Sequence, residues 1–248
     1  MARQAAGVVV DVIDGATVKL SDGQIVRLAG LITPSVPLAV SDGSDAADPK
    51  WPPADEAKSA LASLVANNAS IEIAVADQKA RTDRHGRTLA HVVATTNGVA
   101  TWLQGEMLQR GQARVTSMQS GGQCLLDMLT IESAARSATR GLWANAAYRP
   151  VDASNTDALK RQRVSFALVE GVVVGVAERG GQTYLNFGRD WRWDFTASVS
   201  KAVAKRNPTA AQKLEAMTGQ RVRVRGWVDQ RNGPLIEIGD LAEIETLE

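Results

Sequence analysis

The sequence predicts a mainly β chain with helices, an α+β protein made of a five-stranded barrel followed by a second, smaller barrel. Three observations carry that prediction. Short apolar, β-branched runs alternate with turn dipeptides in both halves of the chain. Both halves run three strands, a helix and two strands without visible sequence identity, which is the order of a Greek-key OB barrel. Between them, residues 145–163 lose all periodicity and gather Asn, Asp, Ser and Pro150. The expected organisation is therefore a first domain over 1–144, a linker over 145–163 and a second domain over 164–248.

In the first half, Val8–Ile13 reads as a strand stopped by the turn Asp14-Gly15. Ala16–Leu20 and Gln24–Leu31 follow as strands around Ser21-Asp22-Gly23, and Thr33-Pro34 ends the third. Residues 36–53 read as a long loop carrying Asp42, Asp45, Asp48 and Trp51. Ala54–Ala66 repeats small apolar residues at helical spacing behind Pro53. Ile71, Ile73 and Val75 mark a fourth strand, and Thr88–Ala94 a fifth ending at Asn97-Gly98. Two helices are then expected, Val99–Arg110 closed by Gly111 and Gln123–Arg140 closed by Gly141. In the second half, Phe166–Ala177, Tyr184–Phe187 and Trp191–Thr196 read as strands. Ser198–Met217 reads as a helix broken at Asn207-Pro208, and Arg221–Val228 and Leu235–Ile244 as the last strands.

Composition narrows the function classes. A net charge of +1 over 248 residues leaves neither half a basic body that would hold nucleic acid by bulk charge, so such a role needs a local patch. The single cysteine, Cys124, excludes an internal disulfide, and with only His85 and His91 beside it a zinc site is poorly supplied. No apolar run reaches the roughly 18 residues of a membrane span. The opening Met1–Gly7 lacks the form of an export leader. That reading places the chain in the cytoplasm as written, or in an exported or periplasmic compartment if a leader once preceded Met1.

Four blocks, in order, carry a resemblance. They are Val12-Ile13-Asp14-Gly15-Ala16-Thr17-Val18; Val26-Arg27-Leu28-Ala29-Gly30-Leu31-Ile32-Thr33-Pro34-Ser35; Asp83-Arg84-His85-Gly86-Arg87-Thr88-Leu89-Ala90; and Gly141-Leu142-Trp143. Over about residues 7–143 the chain resembles the staphylococcal-nuclease (thermonuclease) family. The family's patterns at the first three blocks are Asp-Gly-Asp-Thr, Arg-Leu-x-x-Ile-Asp-Thr-Pro-Glu and Asp-x-Tyr-Gly-Arg. The resemblance implies an OB barrel of the nuclease type and calcium-dependent hydrolysis of phosphodiesters in DNA and RNA. Carboxylates would hold the hard cation, a glutamate would act on the attacking water, and two arginines would hold the phosphate.

The sequence departs from those patterns where the chemistry is done. Ala16 replaces the second aspartate of the first block, Ile32 the aspartate before Thr-Pro, and Ser35 the glutamate after it. A methyl and a sec-butyl group offer calcium no oxygen, and only the Thr33 carbonyl remains. Arg27 and Arg87 fall on the phosphate arginines, and His85 replaces the tyrosine. The leading expectation is a degenerate, catalytically inactive nuclease-like protein with no cofactor. It would serve as a binding or scaffolding module for nucleic acid, another anion or a protein partner. The alternative is an active calcium-dependent phosphodiesterase with a rewired metal site, for which Asp14, Asp83 and the loop aspartates are the candidate rescue carboxylates. Arg27 and Arg87 carry two readings, a retained anion clamp or structural pairs with Asp14 and Asp83.

In the second half, Arg221, Arg223 and Arg225 alternate along one strand with Trp227 on the same side, a candidate ligand face. Pairing with Glu237, Glu243 or Glu245 would instead make it a structural face. Trp191, Trp193 and Phe195 also alternate, opposite Asp190, Arg192 and Asp194, and read as an aromatic core face. Trp102 and Trp143 read as core. Through Leu185-Asn186-Phe187-Gly188 and Arg225-Gly226-Trp227 this half resembles the carboxy-terminal extension of some bacterial thermonuclease-like proteins, which implies no activity.

Overall fold

The structure, a computed structural model, describes residues 4–35, 52–66, 69–74, 82–117 and 124–247. Contacts divide the chain into two units, Met1–Asn145 and Ala146–Glu248.

The first unit begins with β1 (Gln4–Asp14), β2 (Thr17–Leu20), β3 (Ile25–Leu28) and the short β4 (Leu31–Ile32). Helix α1 (Pro52–Leu64) leads to β5 (Ser70–Ala74), β6 (Thr88–Thr96) and β7 (Val99–Trp102). Then come α2 (Leu103–Gln109), β8 (Arg114–Val115) and α3 (Leu125–Ser137). The strands run β3-β2-β1-β5-β6-β7, and β3 also pairs with β6 in parallel, which closes a five-stranded barrel. β1 can serve two neighbours because it is bulged. Its first half pairs with β5 and its second with β2, with register shifts at Ala5/Gly7, Val9/Asp11 and Val12/Asp14. Val18, Leu20, Val26, Leu28, Ile71, Ile73 and Val92 fill the core. Ala57 and Leu61 of α1 and Leu103, Met107 and Leu108 of α2 are buried with them.

Two polar side chains are part of this construction. Gln104 of α2 is wholly buried, donates to the Ala90 carbonyl (2.9 Å) and accepts the Val92 N–H (3.1 Å). Ala90 is the last residue of β6 paired with β3 and Val92 comes just before the first paired with β7, so the amide spans the change of partner. Glu132 of α3, also wholly buried, accepts the Val115 N–H of β8 (2.9 Å).

One expectation needs correction in this unit. Val99–Trp102 is a strand and not the start of a helix. Asn97 and Gly98 both adopt positive φ (52° and 80°), the backbone of a two-residue hairpin that pairs Thr96 with Val99. The expected helix therefore starts only at Leu103. α3 is closed at Thr139 (φ 54°), so of the two glycines expected to close helices Gly111 (φ 68°) does so and Gly141 (φ 53°) opens the 3-10 turn that follows. They pack on each other's strand of backbone, so that a Cβ on Gly111 would strike the Arg140 carbonyl.

The second unit holds β9 (Val151–Asp152), α4 (Thr156–Arg161), β10 (Phe166–Val172), β11 (Gly175–Arg179), β12 (Gln182–Asn186) and β13 (Thr196–Ser200). It ends with α5 (Lys201–Lys205), α6 (Ala210–Glu215), β14 (Arg221–Arg231), β15 (Gly233–Ile238) and β16 (Ile244–Thr246). The sheet order is β11-β12-β13-β15-β14-β10-β9, with β16 on β14 and β13 parallel to β15. Leu185, Phe195, Val199, Val222, Val224 and Ile236 form its core.

Residues 145–163, expected as a linker, carry β9 and α4. β9 pairs with β10, Asn155 caps α4 by accepting the Ala158 N–H, and Ala153 and Leu159 are buried in the second core. Polar composition hid one amphipathic turn. Trp191–Phe195 is not a strand either. A tight loop holds these residues, and the strand begins at Thr196. The helix expected over 198–217 is two short ones. Ser200 caps α5 by accepting the Val203 N–H (3.3 Å), and Thr209 stands at the N-cap of α6. No helix among the described residues is long and apolar enough to cross a membrane.

Candidate functional site

The first three blocks that carry the resemblance meet at one end of the first barrel. Asp14 ends β1, and its carboxylate is used locally. Oδ1 accepts the Ala16 N–H (2.7 Å) and Oδ2 accepts the Thr17 hydroxyl (3.0 Å). Gly15 lets α1 approach this turn, since a Cβ there would stand 2.7 Å from the Ala57 Cβ. Arg27, on β3 and opposite Thr17 of β2, donates from Nη1 to the Thr17 hydroxyl (3.1 Å) and lies 3.6 Å from Asp14 Oδ2.

Arg87 reaches the same region because Thr88, the next residue, pairs with Val26 beside Arg27. Its own turn holds it. Asp83 accepts the backbone N–H groups of His85 (2.9 Å) and Arg87 (3.0 Å) through Oδ1. Asp83 Oδ2 accepts from Arg87 Nε (2.7 Å) and lies 2.6 Å from Nη2. Burial raises the Asp83 pKa, but the hydrogen bonds from Arg87 and His85, with the charge of Arg87, outweigh it. Its carboxyl is held below the usual aspartate range. The Arg27 pKa lies below its ordinary value, chiefly through burial. Asp14 and Asp83 oppose the shift and the positive charge of Arg87 adds to it. The two guanidinium groups thus feel each other, and each has its own carboxylate. The barrel end around them holds two positive and two negative groups.

The positions of metal and water chemistry look different. Ala16 is wholly buried, Ile32 half-buried on β4 and Ser35 exposed. Asp14 already spends both oxygens on its turn and on Arg27. This donor set does not fit a calcium ion, which takes six to eight oxygens, several of them anionic. Among the described residues no three His, Cys, Asp or Glu side chains cluster as metal ligands. The loop aspartates Asp42, Asp45 and Asp48, and Trp51, lie outside the described residues.

Residues 26–145 match the family model described as Staphylococcal nuclease homologue. This part of the chain is similar to that family over those residues. The closed barrel is the nuclease-like OB fold that the four blocks implied, and the family places the nuclease-like unit in nucleic-acid chemistry. The chain matches no curated protein. Of the other chemistry-bearing groups of this unit, His85 is tied to the arginine pair, sharing Asp83 with Arg87 through its backbone N–H. His91 is buried with its ring 6.0 Å from that of Trp102, Trp143 is buried, His85 is exposed, and Cys124 is a free thiol.

In the second unit the register decides what the arginine strand does. Arg223 of β14 stands directly between Glu170 of β10 and Glu245 of β16. It lies 2.7 Å from Glu170 and 3.1 Å from Glu245. Arg225, wholly buried, pairs with Glu245, and Arg221 lies 3.5 Å from Glu170. Trp227 is opposite Phe166, ring edge to ring face at 6.0 Å. Glu245, one of the expected partners, is thus joined by Glu170, and Glu243 accepts the Gly239 N–H. The aromatic core face expected at 191–195 is also corrected. Phe195 is in the core, but Trp191 and Trp193 are 49% and 64% exposed.

Proposed function

We propose that this chain is a catalytically silent relative of the nucleases whose first unit serves as a nucleic-acid-binding module. One observation carries the reading. The carboxylate positions of the motifs hold a buried methyl, a sec-butyl group and an exposed hydroxyl, while Arg27 and Arg87 still converge at the barrel end. Without a cation there is no Lewis acid at phosphorus, and without the glutamate no group at Ser35 directs water.

Binding needs less. Each arginine is aimed by one aspartate, and Arg87 Nη1 and Arg27 Nη2 stay outside those contacts. Fixed guanidinium groups suit a phosphate, which accepts charge-assisted hydrogen bonds from several donors. The near-neutral cluster makes for modest affinity and a turnover-free interaction. Incubating the intact chain with single-stranded DNA or RNA and calcium is expected to leave the polymer uncut. Cleavage that disappears in Arg87→Ala would overturn the proposal.

A further inference from the structure

The outer face of β11, β12 and β13 carries a pocket of about 380 Å³ that no motif announced. Register builds its floor. Arg179 stands opposite Gln182, Ala177 opposite Tyr184, and Asn186 opposite Val174's neighbour Gly175. On the other side Tyr184 faces Ser198 and Asn186 faces Thr196. With a period of two, Gln182, Tyr184 and Asn186 share this face while Leu185 turns into the core. The floor is therefore a grid of amides and hydroxyls around one phenol ring.

Two loops wall it. Trp191 comes from the loop between β12 and β13, and Arg231 and Asn232 from the turn between β14 and β15. The tryptophan loop is rigid. Asp190 N–H donates to Asp194 Oδ2, and the Trp193 and Asp194 N–H groups donate to the Asp190 carbonyl, all at 2.9 Å. A Cβ at Gly233 would strike the Asp194 carbonyl, so the β14–β15 turn is seated on this loop. The Arg192 guanidinium stacks on the Trp191 ring at 5.0 Å.

The charge at the rim selects the ligand. Arg179 has no carboxylate partner among the described residues. Arg231 and Arg192 make only loose, exposed pairs, at 3.8 Å to Asp229 and 3.9 Å to Asp190. Such pairs hold their cations weakly. A flat aromatic wall, hydrogen-bonding side chains beneath it and cations at the edge together match an unstacked base with its phosphate.

We infer that this pocket is a second binding site, which seats one base of single-stranded nucleic acid against Trp191 and directs its phosphate to Arg179. The ligand class follows the reading of the first unit, but the site lies wholly in the second. Preorganisation by the pinned loop lowers the ordering cost of binding.

The test is fluorescence anisotropy of a labelled oligodeoxythymidylate about ten nucleotides long, titrated with the intact chain at two salt concentrations. Trp191→Ala is expected to weaken binding about tenfold, the loss of one stacking contact. Trp191→Phe, which keeps a ring, should retain most of the affinity. Arg179→Ala should lower the slope of log affinity against log salt by about 0.7, one single-strand phosphate contact. Thermal melts of the variants check that they are folded. Trp191→Ala binding as tightly as the unaltered chain overturns the inference. If the double variant Arg27→Ala, Arg87→Ala alone loses binding, the pocket is refuted and the first-unit reading stands. The reverse pattern supports the pocket and removes the first-unit reading. No binding by the unaltered chain overturns both.

Discussion

Replacing Glu245 with Gln asks whether the arginine strand is architecture or ligand surface. Arg225 has a side chain with 0% exposure, and Glu245, 22% exposed, pairs with it and with Arg223 at once. Breaking a buried ion pair costs about 3–5 kcal/mol, because a charge stays buried with less to compensate it. Arg223 keeps Glu170, and Glu245 keeps some water, so the lower end, about 3 kcal/mol, is expected. In a unit of about a hundred residues that corresponds to a fall in melting temperature of about 12–24 °C. Arg221→Ala, at a half-exposed arginine 3.5 Å from Glu170, is expected to cost below about 1 kcal/mol. The assay is differential scanning calorimetry of the intact chain, following the transition of the second unit. Oligonucleotide affinity measured well below the melt should be unchanged in both variants. A Glu245→Gln protein that melts with the unaltered chain, yet binds oligonucleotide differently, would refute the reasoning. Those arginines would then be working outward.

Two further outcomes are expected in the first unit. Gly15→Ala places a methyl 2.7 Å from the Ala57 Cβ and 3.1 Å from its carbonyl carbon, so α1 must shift. Chemical denaturation should show a loss of about 1–3 kcal/mol, and an unchanged midpoint would contradict the close packing. Asp83 has a folded-state pKa below its unfolded value, so its stabilisation is complete above about pH 4 and is lost as pH falls through the folded value. Asp83→Asn should therefore be less stable than the unaltered chain at neutral pH, with the gap closing in acid. A gap that persists or widens in acid would show that the carboxylate is not the source.

Much of the fold was legible because its signals are local. Turn dipeptides and alternation located the barrel strands, and the four blocks identified the first unit. Misreadings arose where spacing was followed without the turn or contact that governs it. Asn97-Gly98 was read as an end when it is the turn of a hairpin. Trp191, Trp193 and Phe195 alternate as a strand would, yet Asp190 and Asp194 fold them into a loop seated on a turn more than thirty residues on. Periodicity has no means of separating those two cases. The same limit applies at the sites. Residue types named Arg27, Arg87, Asp14 and Asp83, but the allotment of one aspartate to each arginine depends on two turns and one parallel pairing. Glu170 was not singled out because it becomes Arg223's partner only through register. The pocket on β11–β13 had no sequence signature, since its polar floor is ordinary strand surface until two loops enclose it.

The amide of Gln104 has a consequence for how the first unit can be cut. A side chain from a helix fills the seam where one strand changes partners, so the wall is incomplete without that helix. A fragment ending at Trp102 would leave an amide hydrogen stranded in the interior beside an open slit. The bare barrel is therefore not a transplantable part. Wall and helix are one cooperative object, and any shortened form intended to work alone has to extend past the helix that carries the plug.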